Sequence, residues 1–545
     1  MSLLSIEGLT VALPKGADRP HAIENLSLRL AEREILCVVG ESGSGKSLTA
    51  GAVMGLLPEG VRATQGAILF EGRDLLGLPP AEMRRLRGAR IGMVFQEPMT
   101  ALNPLRSIGS QIGEMFAIHT SLSRREIAAR ALALLEQVRI PDPAAALRAY
   151  PHELSGGQRQ RAMIAMALAL EPKLLICDEP TTALDVTTQA QILTLIRELQ
   201  QRSGTAVLFI THDFGVVADI ADRVAVMHRG VMVEHGPAAE VLNHPRHAYT
   251  RALVAAVPPL APPAAPLEAP VAAAPVLEVV HLSKTYRKGA LLKRHRRVTH
   301  AVKDVSFSLP RGSTLGVVGE SGSGKSTLAR CIVRLLDPEQ GEIRLEGQDR
   351  AALSRAELRR EARRVQMVFQ DPFASLNPRR RVGELVAQGP IIHGTPRAEA
   401  FARARELFAL VGLDPAALDR FPHEFSGGQR QRIGLARALA LRPDVLVADE
   451  PVSALDVSVQ AQVLKLLARL RAQLGLSMVF ITHDLRVAAQ LCDSIVVMRH
   501  GEVVEAGVTA EVFARPRHPY TRALMAAVPG QNWTPPVAFG SEEPA

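Results

Sequence analysis

The stretch GESGSGKS at residues 40–47 follows the apolar run ILCVV at residues 35–39 and precedes LTAGAVMGLL, whose apolar spacing is helical. A strand, a glycine-rich loop and a helix start, in that order, make a phosphate cradle. Glycines let successive backbone N–H groups turn toward phosphate oxygens, and the helix adds the positive end of its dipole. Gly40, Glu41, Ser42, Gly43, Ser44 and Gly45 are therefore expected to wrap phosphates, with Lys46 neutralising the β- and γ-phosphates and Ser47 ligating magnesium. The same eight letters return as Gly319, Glu320, Ser321, Gly322, Ser323, Gly324, Lys325 and Ser326. A functionless glycine turn is the competing reading. Its recurrence between a second apolar run and a second helical pattern argues against it.

The repetition extends along the chain. LSGGQRQR at residues 154–161 returns as FSGGQRQR at residues 425–432, 271 residues later, and FITHD and the AYTRAL/PYTRAL pair repeat at the same offset. The two phosphate cradles are 279 residues apart. The extra eight are expected as an insertion around residues 287–298, where KGALLKRHRR stands. That basic run reads as a solvated loop, with contact to anionic lipid headgroups as the alternative. Between the copies, VPPLAPPAAPLEAPVAAAPV holds seven prolines and can form neither a continuous helix nor a paired strand. The expected organisation is a first domain over residues 1–257, a semi-rigid Pro/Ala linker over 258–275, a second domain over 276–530 and a tail over 531–545.

Further polar residues sit at the ends of apolar runs, where open α/β sheets place their ligands. LLICDEP at residues 174–180 and VLVADEP at residues 445–451 read as central parallel strands ending in paired carboxylates. Asp178 and Asp449 are expected to hold magnesium, and Glu179 and Glu450 to polarise the attacking water; capping of the next helix is the alternative for one copy. Gln96 in MVFQEP and Gln370 in MVFQDP could reach a metal or that water through the amide oxygen. His212 and His483 in FITHD could touch a γ-phosphate; alone, each would read as structural, and the surrounding phosphate motifs reverse that preference.

Composition sets the outer limits. Of 545 residues, 47% are hydrophobic and 22% charged, which excludes wholesale disorder. The net charge of +9 is spread thinly, and 4% aromatics disfavour a surface built on stacked bases. The one long apolar region, residues 252–267, is broken by five prolines, so no membrane crossing is expected, and MSLLSIEGLTVALPKG has no secretory pattern. A cytosolic location follows. Cys37, Cys177, Cys331 and Cys492 form no CxxC pair, and neither a zinc site nor a disulfide framework is expected.

With a P-loop, a glutamine, LSGGQ, an Asp-Glu pair, ALD and a histidine in that order, each half resembles the nucleotide-binding domain of an ABC ATPase, over most of the chain from about residue 3 to 529. The resemblance implies an α/β fold: two domains, each a P-loop (RecA-like) lobe with an antiparallel β subdomain and a helical insert, arranged head to tail. ATP and Mg2+ would be the cofactors. Site one would combine Lys46, Ser47, Gln96, Asp178, Glu179 and His212 with Ser426, Gly427, Gly428 and Gln429 of the other half. Site two would combine Lys325, Ser326, Gln370, Asp449, Glu450 and His483 with Ser155, Gly156, Gly157 and Gln158. Ser47, Gln96 and Asp178, and Ser326, Gln370 and Asp449, would be the metal ligands. Asp185 and Asp456 would lie at the interface.

QEPMTALNP, QDPFASLNP and the two YTRAL endings are similar to the peptide and nickel importer group, and the Pro/Ala fusion to glutathione-type and other tandem peptide-importer ATPases. This implies separate integral-membrane permeases, a solute-binding protein and a peripheral location on the cytoplasmic face of a bacterial inner membrane. Residues 97–152 and 371–423 would form the helices that receive permease loops. A twin-cassette ATPase acting on nucleic acid or the ribosome is the alternative from another class, and an exporter ATPase is a third. Tyr286 occupies the position of the family's adenine-stacking aromatic, whereas Leu13 stands at the aligned place in the first half. Weaker ATP binding at the first site is one reading; an alignment slip of a residue or two is the other.

Overall fold

The computed structural model describes residues 2–182, 184–263, 274–288, 297–453 and 455–536. The chain divides into two compact units. Of the described residues, those up to Val257 together with 529–536 form one unit, and those between Pro258 and Val528 form the other. The basic run at residues 293–296 and the middle of the Pro/Ala segment lie outside the described residues.

Among the described residues of the first unit ten strands form two sheets: β1 (Ser2–Ala12), β2 (His21–Ala31), β3 (Ile35–Val39), β4 (Arg62–Phe70), β5 (Arg73–Asp74), β6 (Ile91–Val94), β7 (Leu174–Asp178), β8 (Ala206–Ile210), β9 (Arg223–His228) and β10 (Val231–Pro237). The larger sheet has the order β10-β9-β3-β8-β7-β6, with every pair from β6 to β9 parallel and β10 antiparallel at the edge. Strands β3, β7 and β8 are buried at every residue. That is why ILCVV, LLICD and AVLFI read as unbroken apolar runs, and each such buried Leu, Ile or Val contributes about 1.5–3 kcal/mol. The smaller sheet, β2-β1-β4-β5, is antiparallel. In β2 buried and exposed residues alternate over its second half, so one face meets the core and the other solvent.

The second unit repeats this plan with β11 (Pro275–Lys288), β12 (Arg297–Pro310), β13 (Thr314–Val318), β14 (Gln340–Leu345), β15 (Gln348–Asp349), β16 (Val365–Val368), β17 (Val445–Asp449), β18 (Ser477–Thr482), β19 (Ser494–Arg499) and β20 (Glu502–Val508). Its sheets are β12-β11-β14-β15 and β16-β17-β18-β13-β19-β20, the first unit's orders strand for strand. Between β6 and β7, and between β16 and β17, lie the expected helical inserts, whose longest helices are Arg124–Gln137 and Arg397–Leu410.

The ladders settle the alignment of the two copies. Leu4 faces Leu30 and Ala12 faces His21, while Leu277 faces Leu309 and Thr285 faces His300. Leu13 and Tyr286, the next residues, are therefore equivalent, with no slip. They also correct the expected eight-residue insertion. The second hairpin is six residues longer, and the offset then falls again, because Phe70 and Leu345 hold the same place opposite Leu4 and Leu277.

Gly530, expected in the second domain, belongs to the first unit, and residues 258–261, expected in the linker, belong to the second. The Gly530 N–H donates to Asp219 and Trp533 Nε1 to Asn243, inside the first unit; Arg486 donates to the Pro258 carbonyl and Gln490 to those of Pro259 and Ala261, inside the second. All four cysteines are buried and unpaired, and burial pushes their thiols up, that of Cys331 to about 11.

A carboxylate braces the start of each central strand. Asp222 accepts the Ile35 N–H at 2.8 Å and pairs with Arg197 at 3.3 Å; Asp493 accepts the Thr314 N–H at 2.7 Å and pairs with Arg471 at 2.8 Å. The second pair is buried (side chains 11% and 6% exposed), the first is not (36% and 43%). Asp493→Ala strands a buried guanidinium and should cost about 3 kcal/mol; Asp222→Ala should cost about 1 kcal/mol. Urea unfolding of the full chain checks this, and equal shifts would contradict it.

Candidate functional site

Each phosphate cradle begins where a buried strand ends. At Gly40 φ is 149°, and an added Cβ would lie 2.1 Å from the Met227 carbonyl oxygen; at Gly319 the values are 149° and 2.3 Å from that of Met498. Only glycine lets the loop leave the strand so close to β9 or β19. The helices Lys46–Met54 and Lys325–Ile332 follow. Lys46 is 5% exposed, and its Nζ donates to the carbonyls of Gly40 (2.6 Å) and Glu41 (2.9 Å); Lys325 does the same with Gly319 (2.7 Å) and Glu320 (2.8 Å). The ammonium thus lies inside the loop whose amides would meet phosphate.

The acidic pairs arrive from the neighbouring strand ends. Ser47 Oγ donates to Asp178 Oδ1 at 3.0 Å and Ser326 Oγ to Asp449 Oδ1 at 3.1 Å. Burial raises the carboxyl pKa of both aspartates, against the pull of these hydroxyls and of Lys46 and Lys325. The adjacent glutamates take left-handed backbone conformations, φ 45° at Glu179 and 46° at Glu450, unusual for a side chain of this size.

That turn carries each glutamate carboxylate to a different set of donors. Gln96 Nε2 donates to Glu179 at 3.0 Å, Thr182 Oγ1 at 3.0 Å, and His212 Nδ1 lies 3.4 Å away. In the second unit Gln370 donates to Glu450 at 2.9 Å and His483 Nδ1 lies at 3.2 Å. Burial alone would raise these carboxyls, yet the histidine, the hydroxyl donor and the lysine charge outweigh it and hold Glu179 at about 2, with Glu450 lowered in the same way. His483 moves the other way: burial disfavours its charge, and Glu450 more than restores it.

Ser155 and Ser426 cap the helices Gly156–Leu168 and Gly427–Leu439. Gln158 and Gln429 return the bond, each accepting the serine N–H at 3.0 Å, so these glutamines serve the cap. The two glycines differ. A Cβ on Gly157 would lie 2.7 Å from Thr188 Cγ2 and one on Gly428 2.4 Å from Val459 Cγ1, whereas at Gly156 and Gly427 it would meet nothing within 4 Å. Packing requires the second glycine. The first leaves a bare helix N-terminus, able to take an anion. Asp185 caps the helix Val186–Ser203 by accepting the Thr188 N–H at 2.9 Å.

Two tyrosines reach the cradles that the sequence used only as markers of repetition. The Glu41 N–H donates to Tyr249 Oη at 3.3 Å and the Glu320 N–H to Tyr520 Oη at 3.1 Å. Tyr249 is stacked on His228 with ring centres 3.9 Å apart, and Arg499 stands 4.8 Å over the Tyr520 ring. Tyr286 lines a cavity of about 660 Å³ with Gly322, Lys325, Ser326, Gln370 and Glu450. Within each unit the cradle, acidic-pair, glutamine and histidine residues therefore meet, in matching bonds.

Comparison with known proteins agrees with this geometry. Residues 23–182 and 302–453 match the family described as ABC transporter, and residues 233–287 and 504–535, which include both tyrosines, match the oligopeptide/dipeptide transporter C-terminal region. The chain is 48% identical to the glutathione import ATP-binding protein GsiA of Salmonella paratyphi A, over 97% of this chain and 89% of that one. It is 49% identical to the peptidoglycan transport ATP-binding protein YejF of Agrobacterium fabrum, over 96% of each. A solved dimeric structure of MJ0796, a bacterial ABC transporter cassette, matches 43% of this chain and 98% of its own at 30% identity, with a TM-score of 0.39.

The Glu450–His483 pair has a definite pH signature. With the histidine pKa raised in the folded state, the pair's contribution is complete below the unfolded value of about 6.5 and is lost as pH rises through the folded value. His483→Ala should therefore destabilise the full chain more at pH 6 than at pH 9 in urea unfolding; an equal loss at both would show that the pair contributes nothing.

Proposed function

The chain belongs to the ABC transporter family of ATP-binding proteins, and from that premise we propose that it powers uptake of peptide-like solutes, glutathione among them, through separate membrane subunits. It is a twin-cassette ATPase, and ATP is its substrate. The observation that carries the reading is the duplicated cradle in which lysine, serine, aspartate, glutamate, glutamine and histidine meet with matching bonds. The names of the relatives, glutathione and peptidoglycan transport ATP-binding proteins, support the solute class.

In this reading residues 40–47 and 319–326 wrap the phosphates, Lys46 and Lys325 offset their charge, and Tyr286 covers the adenine in the second unit. Ser47 and Asp178, and Ser326 and Asp449, offer hard oxygen donors that suit Mg2+, with the amide oxygens of Gln96 and Gln370 as further ligands. When bound, Mg2+ would screen the phosphate charge and polarise the transferring phosphoryl group. Glu179 and Glu450 stay ionised throughout the physiological range and orient the attacking water. With Nδ1–H committed to the glutamate, a protonated His483 keeps Nε2–H for the γ-phosphate, and His212 holds the equivalent place.

The remaining parts assemble by proposal as well. Two cassettes closing head to tail would bring the bare helix N-terminus at Gly427 onto the first phosphate site and that at Gly156 onto the second. No helix among the described residues is long and apolar enough to cross a membrane. Two integral-membrane permeases and a solute-binding protein would supply the passage and the selection, with this chain on the cytoplasmic face of a bacterial inner membrane. The helical inserts at residues 97–152 and 371–423 would receive the permease loops.

Glu179→Gln and Glu450→Gln should each retain ATP binding, and together they should lower steady-state hydrolysis by the purified full chain at least about 100-fold. A double variant hydrolysing at the wild-type rate would remove both glutamates from the chemistry. The tagged chain, purified in detergent from its native membrane, should bring integral-membrane subunits with it. Recovery of ribosomal proteins alone would overturn the importer reading.

A further inference from the structure

The two units grip the phosphate cradle differently at its outer side. In the second unit Tyr286 stands 38% exposed beside the cradle residues Ser321 and Gly322. The equivalent position in the first unit is Leu13, which has no aromatic face to offer a base. The strand opposite differs too. Leu13 N–H donates to the Pro20 carbonyl at 2.9 Å, as Tyr286 pairs with Thr299, so the preceding residues Arg19 and Val298 are equivalent. Val298 is an exposed aliphatic side chain. Arg19 instead folds onto the cradle: its Nη2 donates to the Gly43 carbonyl, and its Nε is buried without a partner. Gly43 is the counterpart of Gly322, which lines the Tyr286 cavity.

A guanidinium thus stands on the first unit's cradle, on the side that Tyr286 occupies in the second, with one N–H still to be satisfied. A buried donor left without a partner is costly, and a triphosphate or ribose oxygen would satisfy it. The planar cation also stacks on aromatic faces and holds phosphate more tightly than an ammonium does. The shorter hairpin explains how the residue gets there. Pro14, Gly16 and Pro20 turn the chain back within a few residues, which keeps Arg19 against the loop.

We infer that Arg19 is the nucleotide-gripping residue of the first site, replacing an aromatic stack by a charged contact to the base and phosphates. The inference rests on the reading of residues 40–47 as an ATP site. It makes the first site a charge-dependent one and the second a stacking one. Leu13 then does not by itself make the first site weak.

Calorimetric titration of Mg-ATP into the full chain tests this in two backgrounds, Lys325→Ala to leave the first site and Lys46→Ala to leave the second, at 50 and 500 mM salt. With only the first site, Arg19→Ala should weaken binding about tenfold at low salt and flatten the salt dependence, while Arg19→Lys should recover part of the affinity at low salt. With only the second site, Arg19→Ala should change nothing, and Tyr286→Ala should weaken binding about tenfold at either salt. An unchanged Kd for Arg19→Ala beside a lowered melting temperature would overturn the inference and leave Arg19 a brace for the hairpin. So would an equal weakening at both salts. Failure of the Lys325→Ala chain itself to bind ATP would instead overturn the nucleotide reading of the first unit, and the inference with it.

Discussion

The structure depends on placing ionisable groups inside a sheet that is otherwise apolar on both faces. Asp178 and Asp449 are 6% and 3% exposed, and Lys46 and Lys325 are 5% exposed. Such groups are tolerable only where strands end and loop carbonyls, hydroxyls and helix termini can answer them. Parallel strands send those ends to one edge of the sheet. The cradle after β3, the acidic pair after β7 and the histidine after β8 therefore meet there, although they come from distant parts of the chain. The central strands can be wholly apolar because the charge is confined to their tips.

Much of this was legible in the amino-acid order, and the reasons are specific. GESGSGKS and LLICDEP carry their chemistry in residues adjacent in sequence, with the strand that presents them written immediately before as an apolar run. Other features join residues far apart. Tyr249 lies 208 positions from the cradle amide it accepts from, and nothing in AYTRAL marks a hydroxyl destined for Glu41. Gly156 and Gly157 are identical letters, and only packing against Thr188 separates the glycine the fold needs from the one it leaves open. The offset between the cradles suggests one insertion, because a difference in spacing cannot tell a gain in one loop from losses in the next. Paired residues such as Ala12 with His21 and Thr285 with His300 could.

The two units keep their central bonds and vary their surroundings. Ser to Asp, Gln to Glu and His to Glu contacts recur within a few tenths of an ångström. Around them His228 supports one tyrosine and Arg499 the other, and Leu13 with Arg19 stands where Tyr286 and Val298 stand in the second copy. On the proposed function, a contact that touches the reacting phosphate admits few geometries. One that holds the base or braces the loop can be met by a ring, a guanidinium or an aliphatic stem, since each supplies a face of similar area by different physics.

The low pKa of Glu179 bears on how such a site is switched. A carboxylate held at about 2 stays ionised and is a weak proton acceptor, so within a single unit it can align water better than it can deprotonate it. Its basicity is suppressed by His212, Thr182 and Lys46, each of which would also face an incoming triphosphate. On the proposed function, phosphate oxygens would draw the lysine charge and a histidine N–H toward themselves, leaving less of that stabilisation on the glutamate. On the proposed function, binding the substrate would make Glu179 a better base, and competence for hydrolysis would follow occupancy of the cradle.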